Sequence, residues 1–312
     1  MKKVLVTGAA GSVGLQVIKF LLSEGKYEIT ALDLRNKKSL KRLKKYRKRV
    51  NIIFGDVTDN VLMEALVRDH NVIIHLASVI PPFSEFSKKI GEIVEYNGTE
   101  NIIKAINYYN KNCYLIYAST TSLYDSSLSG SIKEKIKEEE LSNYSLNKYN
   151  TENLIKRKLK NYTILRLPLV LNNIINESFI FSIKKNSLIE VTTNIDAAYA
   201  FVKCIPYEKE LNKKTFNVGM GKDGRIIYNV ILKNILDYQG LNLRYILSRI
   251  FLNKDYNSPI LLDSDILDDI IHYRTDSLYN YFRRLKRSGK KRKLRKVLAK
   301  PMVYLKNKEM GD

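Results

Sequence analysis

Tyr144 and Lys148 stand four residues apart in a stretch with helical patterning, Asn143–Lys160, and so project from one helical face. A free phenol ionises near pH ~10. An ammonium beside it favours the phenolate and draws that value toward neutrality. Such a tyrosine can take the proton of a substrate hydroxyl and later return it. Thr120, twenty-four residues before Tyr144, lies in a hydroxyl-rich run, Tyr117-Ala118-Ser119-Thr120-Thr121-Ser122-Leu123-Tyr124. Its hydroxyl can hold and orient the same substrate oxygen. In a chain with 21 tyrosines the pair alone says little; its weight comes from what precedes it.

What precedes it is a nucleotide-binding pattern. Lys2-Lys3-Val4-Leu5-Val6 reads as a strand, Thr7-Gly8-Ala9-Ala10-Gly11-Ser12-Val13-Gly14 as a turn, and Leu15 to Leu22 as a helix. Gly8 suits the tight turn, Gly11 lets a pyrophosphate approach the backbone, and Gly14 allows close helix–strand packing. The phosphates would meet free N–H groups at the positive end of the helix dipole. Asp33 closes the second strand nineteen residues after Gly14 and can accept both hydroxyls of an adenine ribose. It would repel a 2′-phosphate, which points to NAD; Arg35, Lys37 and Lys38 follow at once and keep NADP open. Asp56 can accept from the adenine amino group, and Asp59 reads as a helix N-cap. In His75-Leu76-Ala77-Ser78 the small residues leave room for a cofactor, and His75 reads as a packed strand histidine. Asn97 reads as a buried polar residue near the cofactor. An oxidised nicotinamide would add positive charge beside Tyr144, and Lys148 would also bind the nicotinamide ribose.

Positioning these groups requires alternating strands and helices. Strand-like runs are Val4–Thr7, Glu28–Asp33, Asn51–Phe54, Val72–Leu76, Tyr114–Ala118 and Thr163–Arg166. Helical runs lie between them at Ser12–Leu22, Lys38–Lys48, Asp59–Arg68, Ile90–Tyr109 and Asn143–Lys160. This pattern predicts an α/β Rossmann fold, a doubly wound parallel sheet with ligands at its carboxyl edge. Residues 1–166 would form the NAD-binding domain. Residues 167–280 would form a small C-terminal substrate lobe interleaved with the sheet, with Asp196–Cys204 and Gly224–Leu236 as helices and Asp196 at a helix start or hinge. Residues 281–312 would form a basic helical tail.

The 312 residues suffice for a full core, and 45% are hydrophobic. Two cysteines, Cys113 and Cys204, exclude a disulfide framework and fit a reducing, cytoplasmic setting. Neither a signal peptide nor a membrane span is legible. The carboxylates Asp263, Asp265, Asp268 and Asp269 read as a charged helix start, without calcium-loop spacing, so no metal site is expected. The net charge of +22 concentrates in Arg35–Arg49 and Arg283–Lys308. In the tail, basic residues interleave with Leu285, Leu294, Val297 and Leu298. That leaves three readings: a solvated or dimer-contacting helix, contact with an anionic membrane surface, and, least favoured, nucleic acid.

Taken together, these motifs resemble the extended short-chain dehydrogenase/reductase family, in its NAD-dependent nucleotide-sugar epimerase/dehydratase group, over about residues 2–240. The resemblance also rests on Asp56-Val57, Asn97-Gly98-Thr99, Tyr144-Ser145-Leu146-Asn147-Lys148 with Glu152, Leu165-Arg166, Asp196-Ala197-Ala198-Tyr199-Ala200 and Phe216-Asn217-Val218-Gly219. It implies cofactor contacts at Ser12, Val13, Asp33, Leu34, Asp56, Val57, Leu76, Ala77, Asn97, Tyr144 and Lys148, with Ser78 beside them, and catalytic roles for Thr120 and Tyr144 supported by Lys148. It also implies a homodimer through the helices Ile90–Tyr109 and Asn143–Lys160. Thr121-Ser122 stands where dehydratases of the group carry Asp-Glu, which disfavours water expulsion. Leu169 replaces the group's usual asparagine, and no arginine lies between Arg166 and Arg225, only lysines such as Lys184, Lys185 and Lys203.

The expected activity is NAD-dependent 4-epimerisation of a nucleotide-linked sugar by transient oxidation, with Tyr144 as acid and base. The alternatives are an NAD(P)H-dependent keto-sugar or carbonyl reductase and a non-catalytic nucleotide-binding or scaffold protein on the same fold.

Overall fold

The computed structural model of the protein describes residues 1–81, 84, 87–124, 129–172, 183, 186–239 and 259–288. Lys184, Lys185 and residues 289–312 lie outside the described residues. Elements are numbered in chain order, with the short strand Ser129–Gly130 as β6 and the short helices Glu208–Leu211 and Asp265–Ile271 as α8 and α10. Lys2–Thr7 (β1), Tyr27–Asp33 (β2), Asn51–Phe54 (β3), Val72–His75 (β4), Tyr114–Thr120 (β5), Tyr162–Leu167 (β7) and Lys214–Asn217 (β10) form one sheet in the order β10-β7-β5-β4-β1-β2-β3. Every neighbouring pair is parallel. The chain order reverses beside β1, which places a crevice at the carboxyl ends of β1 and β4.

The alternation of side chains along each strand builds two cores. Val4, Val6, Val72, Ile74, Tyr114 and Ile116 face one side, against Val17, Ile18 and Leu21 of helix Ser12–Glu24 (α1) and Phe201 and Val202 of helix Asn194–Cys204 (α7). Leu5, Ile73, Leu115 and Tyr117 face the other side. There they meet helices Asn60–Arg68 (α3), Gly98–Tyr109 (α5) and Asn143–Lys158 (α6) through Leu66, Ile102, Ile106, Leu154 and Ile155. β4 and β5 are buried along their whole length, as strands covered on both faces must be.

Helix starts follow the local chemistry. Asn36 caps Lys37–Leu43 (α2), accepting from Lys38 and Ser39 N–H, and Asp59 caps α3, accepting from Leu62 N–H. Ser142 caps α6 and Thr193 caps α7 in the same way. The predicted helix Lys38–Lys48 is divided: α2 ends at Leu43 and a 3₁₀ turn, Lys44–Tyr46, follows.

A second, smaller sheet joins Leu169–Leu171 (β8), Leu188–Thr193 (β9) and Arg225–Ile227 (β11); β8 runs parallel to β9 and β11 antiparallel to it. This corrects the expected helix Gly224–Leu236. Its first turn is strand, because Arg225–Ile227 pair with Leu188–Glu190, and the helix Tyr228–Gln239 (α9) begins only afterwards. α9 and Leu278–Ser288 (α11) share an apolar core with this sheet through Ile231, Leu232, Tyr281 and Leu285. α11 spans residue 281 and contributes Tyr281 and Leu285 to this core. Among the described residues no helix is long and apolar enough to cross a membrane.

Candidate active site

The turn after β1 adopts a left-handed geometry that favours glycine. Gly8 has φ +65°, and a Cβ there would sit 2.8 Å from the backbone of Leu76 and Ala77. A Cβ on Gly14 would lie 2.5 Å from Gly8 O and 2.8 Å from Ala9 Cα. The turn is thereby pressed between β4 and α1. No side chain caps α1, so its first N–H groups face the cleft as donors for an anion. This open, side-chain-free helix start fits a dinucleotide pyrophosphate.

Asp33 sits beside it at the end of β2. Its Oδ2 accepts from Ala10 N–H at 2.8 Å and its Oδ1 from Ser39 Oγ at 2.7 Å. Arg42 reaches back to Ala10 O at 2.9 Å. Ser39 and Arg42 line the same end of the cleft. Sequence reasoning missed both as site residues, although their place one turn apart on a predicted helix after Asp33 was a usable signal.

At the other end, Thr120, Tyr144 and Lys148 line the cleft with Ala118 and Ser119. Lys148 is buried; its Nζ donates to Ala118 O at 2.7 Å and to Glu95 Oε1 at 2.7 Å. The Lys148 ammonium lies 5.9 Å from the Tyr144 ring centroid and 4.8 Å from that of Tyr117. Thr120 Oγ1 and Ser122 Oγ are 2.8 Å apart. Of the remaining predicted cofactor residues, Gly8, Gly11, Ser12, Val13, Gly14, Leu34, Asp56, Val57, Leu76, Ala77 and Ser78 also line the cleft. Asp56 additionally accepts from Thr58 N–H at 2.9 Å.

Two readings change at the helix after β4. His75 is packed, as its strand position suggests, with its ring nitrogens 2.6 Å from Thr7 Oγ1 and 3.0 Å from Thr99 Oγ1. Burial lowers its pKa to about 4, so it is neutral at physiological pH. Asn97 is not the buried polar residue expected: it is exposed and does not line the cleft. The predicted helix Ile90–Tyr109 is broken into Lys88–Glu92 (α4), a π-helical turn Ile93–Asn97, and α5. Glu95, two residues earlier and on the opposite side of this turn, is the one that points inward. No signal in the sequence set Glu95 apart, because the buried groups it faces are brought together only by the fold.

Comparison with known proteins gives this geometry a lineage. The family model described as the 3-beta hydroxysteroid dehydrogenase/isomerase family matches residues 5–166, from β1 through the arginine that ends the Rossmann pattern. The chain belongs to the 3-beta hydroxysteroid dehydrogenase/isomerase family. It is 32% identical to a UDP-N-acetyl-alpha-D-glucosaminuronate decarboxylase of Bacillus cytotoxicus over 125 residues, 39% of this chain and 38% of that protein. It is 30% identical to 3 beta-hydroxysteroid dehydrogenase type 7 of Mus musculus over 128 residues, 40% of this chain and 34% of that protein. The chain thus spans well under two thirds of either relative. Its fold matches the NAD complex of UDP-glucuronic acid 4-epimerase from Bacillus cereus with a TM-score of 0.71 and 19% identity, over 90% of this chain and 94% of that one.

In this member of the 3-beta hydroxysteroid dehydrogenase/isomerase family, a buried ionic chain braces β5. Ser119 Oγ donates to Glu152 Oε1 at 2.6 Å, and Arg166 grips Glu152 with two further bonds. Arg166 Nη1 donates to Tyr124 Oη at 3.1 Å, Tyr124 Oη donates to Asn217 Oδ1 at 2.8 Å, and Asn217 Nδ2 donates to Asp263 Oδ1 at 2.7 Å. Burial alone would raise the Glu152 carboxyl; Arg166, Lys156 and Ser119 overcome it and hold its pKa at about 2. Of the acidic group near residue 265, Asp265 pairs with Arg274 and Asp268 accepts from Arg274 N–H at 3.0 Å; Asp196, at the start of α7, accepts from Thr275 and Asp276 N–H. The cleft encloses about 600 Å³. Its lobe side is apolar: Pro168, Leu169, Val170, Ile231, Leu232 and Ile235 line it.

Proposed function

We propose that this chain is an NAD-dependent enzyme that oxidises a secondary alcohol, with Tyr144 as acid and base, and that it acts as a 4-epimerase of a nucleotide-linked sugar. The observation that carries the reading is that one cleft is lined by the glycine turn at one end and by Thr120, Tyr144 and Lys148 at the other. NAD, when bound, supplies the hydride acceptor. Gly8, Gly11 and Gly14 with the start of α1 would hold its pyrophosphate and Asp33 its adenine ribose. Tyr144 Oη takes the proton from the substrate hydroxyl as the carbonyl forms, and Thr120 Oγ1 holds the same oxygen. In an epimerase, hydride would return to the opposite face of the keto carbon and Tyr144 would give its proton back to the oxygen, so no net oxidation occurs. The relatives named for UDP-sugar chemistry support this choice of substrate class.

A second reading, net reduction of a ketone by NAD(P)H, is favoured by the apolar lobe wall and by the match to a hydroxysteroid dehydrogenase. Stoichiometry separates the two. An epimerase turns over with catalytic NAD, whereas a reductase consumes one reduced cofactor per product, read from the reduced-nicotinamide absorbance. In either case Tyr144→Phe is expected to cut turnover about 10²–10⁴-fold while NAD affinity is retained. A Tyr144→Phe protein with intact turnover would refute the assignment.

A further inference from the structure

Lys148 does not stand alone beside Tyr144. Glu95, 2% exposed, is held by three donors: Lys148 Nζ at 2.7 Å and Tyr117 Oη at 2.5 Å on Oε1, and Ser78 Oγ at 2.5 Å on Oε2. It enters from the π-helical turn Ile93–Asn97, an insertion of the kind that re-aims a side chain at functional sites. Resting on the reading of Tyr144 as acid and base, we propose that Glu95 is a positioning residue: it fixes the Lys148 ammonium and offsets its charge, so that Tyr144 keeps its proton to a higher pH than an unpaired lysine would allow.

The geometry supports this step by step. Lys148 has three N–H donors, of which Glu95 and Ala118 O take two. The carboxylate cannot leave without stranding a buried ammonium. Its second oxygen is tied to Ser78 just beyond the end of β4, so the pair is anchored to the sheet and not only to the helices. On α4, Lys89 and Glu92 are exposed. On β4, His75 is neutral. On β5, burial and the facing Glu95 carboxylate hold the Tyr117 phenol well above its ordinary range, so it remains a donor. On α6, Glu152 is committed to Arg166. Lys148 and Glu95, 2.7 Å apart and both buried, therefore act on Tyr144 as a pair whose charges offset each other.

The test is a near-ultraviolet pH titration of phenolate absorbance on the full chain, with and without NAD. Subtracting the Tyr144→Phe protein isolates the Tyr144 signal. In Glu95→Gln the neutral amide leaves the Lys148 charge unopposed, and the Tyr144 midpoint is expected to fall by about one pH unit or more. Glu95→Asp, which retracts the same charge by one methylene, is expected to move it the same way by less, and it serves where Glu95→Gln does not fold. A midpoint unchanged in the variant that folds, or one that rises, overturns the proposal. Turnover of Tyr144→Phe is measured separately, so a failed catalytic reading is told apart from a failed role for Glu95.

Discussion

Arg166 on β7 meets Glu152 on α6 through two parallel bonds, Nε to Oε1 at 2.8 Å and Nη2 to Oε2 at 2.7 Å, and both side chains are buried. The pair joins the last strand of the Rossmann pattern to the helix that carries Tyr144 and Lys148. Arg166→Met would strand a buried carboxylate at a cost of about 3–5 kcal/mol. A urea unfolding series at neutral pH is expected to show that loss, and a change within error would mean the pair is not a support of the fold.

The same carboxylate sets an acid limit. Its folded pKa of about 2 lies below the ordinary 4.5, so between these values the unfolded chain binds more protons than the native one. The stabilisation is complete above pH 4.5 and is lost as the pH falls toward 2. Glu152→Gln is expected to flatten this part of the stability curve, measured by denaturant midpoints across the acid range.

His75 acts in a higher window. Burial, its largest influence, lowers the imidazole from 6.5 to about 4; Lys148 adds to this and Glu95 opposes it. The native state again binds fewer protons than the unfolded chain. Stability is whole above pH 6.5 and declines toward pH 4. Replacing His75 with Gln should remove that slope while leaving the lower one from Glu152 in place, which separates the two groups experimentally.

Gly14 and Gly11 should fail differently. A Cβ on Gly14 meets backbone at 2.5–2.8 Å, whereas one on Gly11 meets only Gly8 O, at 3.0 Å. Gly14→Ala is expected to lower the melting temperature together with NAD affinity. Gly11→Ala is expected to weaken NAD binding with a much smaller thermal effect, because its methyl would occupy the approach to the pyrophosphate. Equal melting losses in the two variants would contradict this division.

Asp33 holds Ala10 N–H and Ser39 Oγ while Lys38 and Arg42 line the cleft beside it. Asp33→Ala should cost about 1.5–3 kcal/mol of NAD binding and shift preference toward NADP, as the repelling charge goes and the cations stay. Calorimetric titration with both cofactors reads the ratio directly.

Much of this arrangement is local and therefore legible in one dimension. The strand–glycine–helix start, the alternation of strands and helices, the caps at Asp59 and the shared face of Tyr144 and Lys148 depend on backbone freedom, periodicity and spacings within one turn. What only the folded chain decided are contacts between distant segments. The π-helical turn exchanged the inward residue from Asn97 to Glu95, a rotation that no helical periodicity encodes. Pairing with β9 turned Arg225–Ile227 into strand, overriding a helical pattern. The partnership of Glu152 with Arg166, and the apolar wall built from Leu169 on β8 with Ile231 and Leu232 on α9, arise because sheet closure brings separate stretches together, and the free energy of burial is settled there and not along the sequence.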